Sequence, residues 1–269
     1  MKPRIAASLF VSLAALTACT KDAPKQAVAD TATADLKGTC ADVYKSPVCT
    51  FSKMQGSNVL EVGVVVPLAS IENAPAKEAM VWPPKSLASV DLSDASRKQS
   101  GLSTFTMFWE SEGHPPGPYL TPHLDFHFYT ISAAEIAAID CADLSKPTAL
   151  PAAYALPDIP LPPDMAKMMG VKTLVGLCVP GMGMHAMPAS ELASKEVFRG
   201  TMVVGYYKGK PIFIEPMVTK AMLMEKKSFD LDVPNVPGMS GPHPTKFHAD
   251  FDATKQEYRM IFSGFTTGG

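Results

Sequence analysis

Twenty-five prolines stand among the 269 residues of this chain, more than nine in every hundred. Proline locks φ and lacks the N–H that helix interiors and central strands need, so this density favours short elements joined by many turns and edges. Residues 147–163 alone hold six prolines and read as an extended surface loop. Between such breaks, β-branched and aromatic residues cluster over 58–67, 102–109, 122–130, 201–207, 211–217 and 257–265, and each run reads as a strand. Lys208-Gly209-Lys210 separates two of them as a hairpin turn. Ser132 with Glu135 forms a capping box that opens a short helix to about Ala138. A further helical turn or two is expected at 164–169, stopped by Gly170. Residues 219–226 fit a strand or a short helix, and 232–244 fit a Pro/Gly loop. Many short strands with turn punctuation predict a mainly β fold, sandwich or barrel-like, with a few short helices.

Residues 1–18 read as a lipoprotein signal peptide. Lys2 and Arg4 precede an apolar run from Ile5 to Leu16, too short to span a bilayer as a helix. Leu16-Thr17-Ala18-Cys19 resembles a bacterial lipobox, which makes Cys19 the predicted lipidated residue and the membrane the predicted partner. Thr20, where an Asp would signal inner-membrane retention, places the protein on the periplasmic face of the outer membrane if the cell is Gram-negative. Small polar residues over 19–37 read as a flexible tether, and 38–269 as a single β-rich domain. The cell envelope is oxidising, so Cys40, Cys49, Cys141 and Cys178 are expected to form two disulfides. Of the three possible pairings, Cys40–Cys49 closes a short loop and leaves Cys141–Cys178, each worth about 3–4 kcal/mol. The sequence has no C-x-x-C spacing for a thiolate metal site. With 24 Lys+Arg against 26 Asp+Glu there is no basic excess for a nucleic-acid partner, and a charged fraction of 19% is too low for a disordered polyelectrolyte.

The chemistry concentrates in a few segments. In Pro122-His-Leu-Asp-Phe-His-Phe-Tyr129, strand alternation puts His123, Asp125 and His127 on one face and Leu124, Phe126 and Phe128 on the other. Neighbours at i and i+2 lie about 6.6 Å apart, close enough to chelate one ion. His123 and His127 are roughly 13 Å apart on a straight strand and share an ion only if it bends or bulges. In Val179-Pro-Gly-Met-Gly-Met-His185, two glycines permit a tight turn with His185 at its tip. Glu215 sits in Ile212-Phe-Ile-Glu-Pro216, where a carboxylate must be paired, metal-bound or protonated. His123, His127, His185 and Glu215 are the predicted metal ligands, a set suited to zinc or iron. Asp125 is the candidate base or histidine orienter, and His114, Tyr129, Met182 and Met184 are expected around the ion or a ligand. The alternatives are an exposed His/Asp face without function, with Glu215 salt-bridged to a lysine. His243 and His248 read as residues of a polar loop. Met182, Met184 and Met187 around His185 offer a soft set for copper, although methionine also fills cores. No G-x-S-x-G nucleophile elbow is present.

The segments G-H-P-P-G-P-Y-L-T-P-H-L-D-F-H-F-Y, V-P-G-M-G-M-H and G-T-M-V-V-G-Y-Y-K-G-K-P-I-F-I-E-P-M-V-T resemble an uncharacterised bacterial domain-of-unknown-function family, typified by a small thermophile protein under extracytoplasmic sigma-factor control. The resemblance spans roughly residues 58–226. It implies a β-rich fold and one site containing His114, His123, Asp125, His127, His185 and Glu215, and it brings no established activity. Ala186 stands where the family pattern leads one to expect an aromatic residue, which implies a differently shaped pocket.

The residues therefore predict a lipid-anchored envelope protein with a divalent-metal His/carboxylate pocket. The competing readings are a non-catalytic copper or small-ligand module and a structural envelope-stress protein. Oligomerisation is compatible with each.

Overall fold

The structure is a computed structural model that describes Met1 and residues 33–266; residues 2–32, which hold nearly all of the expected signal peptide, Cys19 and most of the expected tether, lie outside the described residues. The chain is mainly β, as a proline-punctuated sequence requires. Its strands in chain order begin with β1 (Thr33–Val43), β2 (Ser46–Gln55) and β3 (Asn58–Pro67), then β4 (Ala88–Asp91), β5 (Thr104–Glu110) and β6 (His123–Tyr129). Three short strands follow: β7 (Tyr154–Ala155), β8 (Ile159–Pro160) and β9 (Thr173–Leu174). Then come β10 (Met184–Pro188), β11 (Gly200–Tyr207) and β12 (Lys210–Thr219), and finally β13 (Phe229–Leu231), β14 (Lys246–Asp252) and β15 (Glu257–Ser263).

These strands form a six-stranded sheet in the order β1-β2-β3-β15-β14-β13, a seven-stranded sheet in the order β4-β5-β6-β12-β11-β10-β7, and a β8-β9 pair. Neighbouring strands run antiparallel. The two large sheets pack as a β-sandwich. Val62, Val64, Val66, Met260 and Phe262 from the first meet Phe105, Met107, Leu124, Phe126, Phe128 and Ile214 from the second in one buried cluster. Phe128 and Phe262 meet across it at 5.0 Å between ring centroids.

The other face of the seven-stranded sheet is also covered. Tyr119, Ile139 and Leu177 from the connections between strands, with Leu174 of β9, pack with Tyr129, Val203, Phe213 and Met217 from the sheet. A strand buried on both faces explains why every residue of β6 is buried. Both disulfides have the expected pairing, Cys40–Cys49 and Cys141–Cys178. The capping box at Ser132 opens the helix Ala133–Ala137, the helix Pro163–Met169 stops at left-handed Gly170, and Thr219 caps a short helix over Lys220–Leu223.

Three expectations are corrected. The tether was expected to run to Lys37, but strand β1 begins at Thr33 and pairs with β2 from Thr33↔Gln55; as an exposed edge strand it needs no hydrophobic alternation. His248 is not a loop residue. It lies in β14, its ring 2.8 Å from Asp230. His243 lies outside the named strands and bridges to Thr266. Finally, His185 is not at the tip of the glycine turn. Gly181 (φ 77°) and Gly183 (φ 113°) make the turn, and β10 starts after it.

Candidate metal centre

The site lies on the outer face of the seven-stranded sheet, where alternation along neighbouring strands brings polar side chains into register. In β6 the odd positions His123, Asp125, His127 and Tyr129 face outward, while Leu124, Phe126 and Phe128 join the sandwich core. On β12 the same face carries Phe213, Glu215, Met217 and Thr219, opposite Tyr129 for Phe213, Asp125 for Met217 and His123 for Thr219. On β5, Glu110 lies opposite His123 and Phe108 opposite Asp125. His185 enters from β10, paired with Gly205 of β11. Gly205 is required there: a Cβ at this position would fall 1.9 Å from the Phe213 ring. That ring touches both His127 and His185, at centroid distances of 4.7 and 5.2 Å.

Two groups of three ligand-competent side chains result, His127/His185/Glu215 and His114/His123/Asp125, and within each the ligand atoms lie within 4.8 Å of one another. Each is two histidines and a carboxylate, a set found in zinc hydrolases and in non-haem iron sites. His123, Asp125, His127, His185 and Glu215 are all buried, which excludes the reading of a solvated His/Asp face. His114 is half-buried.

The expected sharing of ligands is corrected in one respect. His123 and His127 do not converge on one position, because β6 pairs without a bulge with both β5 and β12. The strand stays regular, and His123 falls in with His114 and Asp125.

The hydrogen bonding of the rings favours coordination. A backbone carbonyl only accepts, so Nδ1–H of His185 donates to Leu177 O (2.9 Å), that of His123 to Thr121 O (2.7 Å) and that of His114 to Pro115 O (2.8 Å). Each ring keeps its lone pair on Nε2, as in histidines oriented by a backbone partner for a metal. His127 Nε2 is 3.5 Å from Glu215 Oε2, and His123 Nε2 is 3.3 Å from Asp125 Oδ1. Yet among the described residues none of these four atoms has a hydrogen-bond partner, and neither has His127 Nδ1. The atoms converge without the alignment of donor and acceptor. Buried polar groups left this way are rare and costly, and an ion between them would satisfy them.

Electrostatics point the same way. Burial pushes the pKa of His123 and His127 well below the usual imidazole range and that of His185 down to about 4. It lowers that of His114 as well. All four are thus neutral and able to donate a lone pair at pH 7. Burial, reinforced by the neighbouring carboxylates, raises Asp125 and Glu215 well above the carboxylate range. Burial, with the charge of Glu78 nearby, pushes Glu110 up to about 7. Among the described residues no lysine or arginine pairs with Glu110, Asp125 or Glu215, so the alternative of a Glu215–lysine bridge is not realised.

Asp125, His114, His185 and Glu215 lie in the wall of a cavity of 370 Å³, within the range of small-molecule sites, whose polar lining also includes Glu78, Lys85, Glu110 and Glu112. Much of the rest is apolar: Trp82, Phe108, Met165, Met169, Met182 and Met187 are among its lining residues. Met80 and Val81, also lining it, are exposed. Tyr129 stacks on His127 at 5.6 Å. Met182 and Met184 are not brought together: Met182 packs with Phe108 and Val179, Met184 with Cys178, Val204 and Tyr206.

Glu110 is the residue sequence reasoning missed. It stands at the polar end of β5, and only the β5–β6 register reveals it as the neighbour of His123. No family model, curated protein or solved structure matches the chain.

Proposed function

We propose that the protein is a lipid-anchored cell-envelope metalloprotein. It holds a zinc or ferrous ion with His127, His185 and Glu215 and presents that ion to a small, largely apolar organic molecule in the adjoining cavity. One observation carries the reading: two buried histidines and a buried glutamate converge within 4.8 Å while His127 and Glu215 leave ligand atoms without hydrogen-bond partners. An ion bound there supplies Lewis acidity or an activated water at neutral pH. Three protein ligands leave a coordination position open. Asp125 lines the same cavity beside Glu215. The cavity favours this over ion storage, because a storage site needs no room beyond the ion. Attachment through Cys19 is part of the proposal and rests on the Leu16-Thr17-Ala18-Cys19 pattern. Among the described residues no helix is long and apolar enough to cross a membrane. Resemblance to the uncharacterised bacterial family adds no activity to this reading.

The test is elemental analysis of the full chain, purified without affinity tag or added metal, beside Glu215→Gln and His185→Ala. One equivalent of zinc or iron that is present in the wild type and lost in both variants is the expected result. A wild type without metal, which also fails to take up zinc or ferrous ion anaerobically, refutes the proposal. Copper that survives both changes moves the ion elsewhere.

A further inference from the structure

The second cluster goes beyond that function. We infer that His114, His123 and Asp125 form a separate divalent-metal site, whose ion clasps the 111–122 connection onto strand β6 and so completes one wall of the cavity. Two of the three ligands are fixed by the sheet. His123 and Asp125 are adjacent outward positions of β6, both buried, and His123 Nε2 and Asp125 Oδ1 face each other at 3.3 Å with no hydrogen bond to either. The third belongs to the connection between β5 and β6. That connection closes on itself: His114 N–H donates to Tyr119 O, and Tyr119 N–H to Pro116 O. Gly113 (φ 69°) permits the closure, since a Cβ there would lie 2.1 Å from Tyr119 O. The fold leaves the His114 ring edge-on to His123 with centroids 4.9 Å apart, and His114 O-anchored through Nδ1 with Nε2 open.

The two clusters share no ligand: His114, His123 and Asp125 form one set, and His127, His185 and Glu215 the other. Among the described residues no lysine or arginine forms an ion pair with Glu110, Asp125 or Glu215, so a cation near them would find carboxyl groups free to ligate it. The two sites also differ in construction. His127, His185 and Glu215 all come from strands, whereas His114 is half-buried in a connection, so the second ion is the faster to exchange.

The experiment titrates the metal-stripped full chain with Zn²⁺, and with Co²⁺ followed by its visible absorption. It compares wild type, His114→Ala and Glu215→Gln, and follows hydrogen exchange of residues 111–122. Two equivalents in the wild type are expected, with one lost in each variant. Chelator should remove one ion fast and one slowly, and the 111–122 amides should become protected only with the second equivalent. A single equivalent that Glu215→Gln abolishes and His114→Ala leaves intact overturns this inference and leaves the proposed function standing. A single equivalent lost only in His114→Ala supports this site and removes the ion from the other. Two equivalents with unchanged exchange over 111–122 overturn the clasp. Uptake by neither cluster overturns both. Melting of His114→Ala in chelator at the wild-type temperature shows that its loss of metal is not loss of fold.

Discussion

Replacing His127 and Glu215 together by Leu and Met separates a metal centre from an imperfect polar core. The pair is buried, and His127 Nδ1, His127 Nε2 and Glu215 Oε2 have no hydrogen-bond partner. Each such atom costs about 1–3 kcal/mol, so three cost about 3–9 kcal/mol in the metal-free protein. Leu and Met are of similar volume and remove all three atoms. Repacking against Phe108, Tyr129 and Phe213, which contact the His127 ring, returns about 1–3 kcal/mol of that gain. In chelator the double variant should therefore be at least as stable as wild type, by up to about 8 kcal/mol. With zinc at a thousandfold excess over its dissociation constant, wild type gains about 4 kcal/mol at this cluster, and the variant gains nothing there. For a domain of this size 1 kcal/mol moves the melting temperature by about 2–4 °C. Calorimetric melts should show wild type rising by about 8–16 °C on adding zinc, with the variant's advantage shrinking or reversing. A wild type that melts at one temperature in zinc and in chelator, always below the variant, would refute the reasoning and leave an unsatisfied core.

Further outcomes follow from the same geometry. Gly205→Val drives a side chain into the space of the Phe213 ring, which packs on His127 and His185. It should cost about 1–3 kcal/mol and weaken zinc binding, read by melting and by competition with a chelating dye. In the metal-free protein the raised pKa of Glu110, about 7, stabilises the fold fully below the unfolded carboxyl range, and this contribution is lost as pH rises toward 7. Glu110→Gln should then match wild type near pH 4 and melt increasingly above it from pH 5 to 8; a constant difference in chelator would contradict the assignment. Removing Cys141–Cys178, with 37 residues of separation, should cost about 4 kcal/mol. Because Leu177, whose carbonyl holds His185, adjoins Cys178, the paired Ser variant should also bind zinc less tightly. Zinc affinity unchanged after correction for stability would dissociate the bridge from the site.

The legible part of this fold is the part governed by alternation. Pro122 to Tyr129 separates its histidines and aspartate from Leu124, Phe126 and Phe128 with period two, and the sheet keeps that separation because each set has somewhere to go. The disulfides were legible from spacing. Strand β1 was not, because its exposed sequence carries no apolar alternation and gains its place from pairing with β2. In β10 the glycines that make the turn hid the strand that follows. The His123/Asp125 pair was legible from its i, i+2 spacing; that β6 stays regular and keeps His123 from His127 required its register with β5 and β12. The burial of the centre was also invisible: a polar face under a lid of Tyr119, Leu174 and Leu177 has the same sequence as a polar face in water.

Strand order carries one more consequence. The seven-stranded sheet that bears the histidines is drawn from one continuous stretch, Ala88 to Thr219, whereas the six-stranded sheet joins β3 to β15, beginning at Pro67↔Glu257. Hairpins such as β11–β12 close across a turn of Lys208 and Gly209, but the β3–β15 seam waits for chain made much later, and long-range pairing of this kind slows folding. Deleting β15 would not trim an edge. It would remove a central stave, leave β3 unpaired on one side and detach β14 with β13. The residues proposed to hold the ions are thus encoded on a span that excludes the seam, while the apolar floor beneath them is finished by nearly the last residues of the described chain.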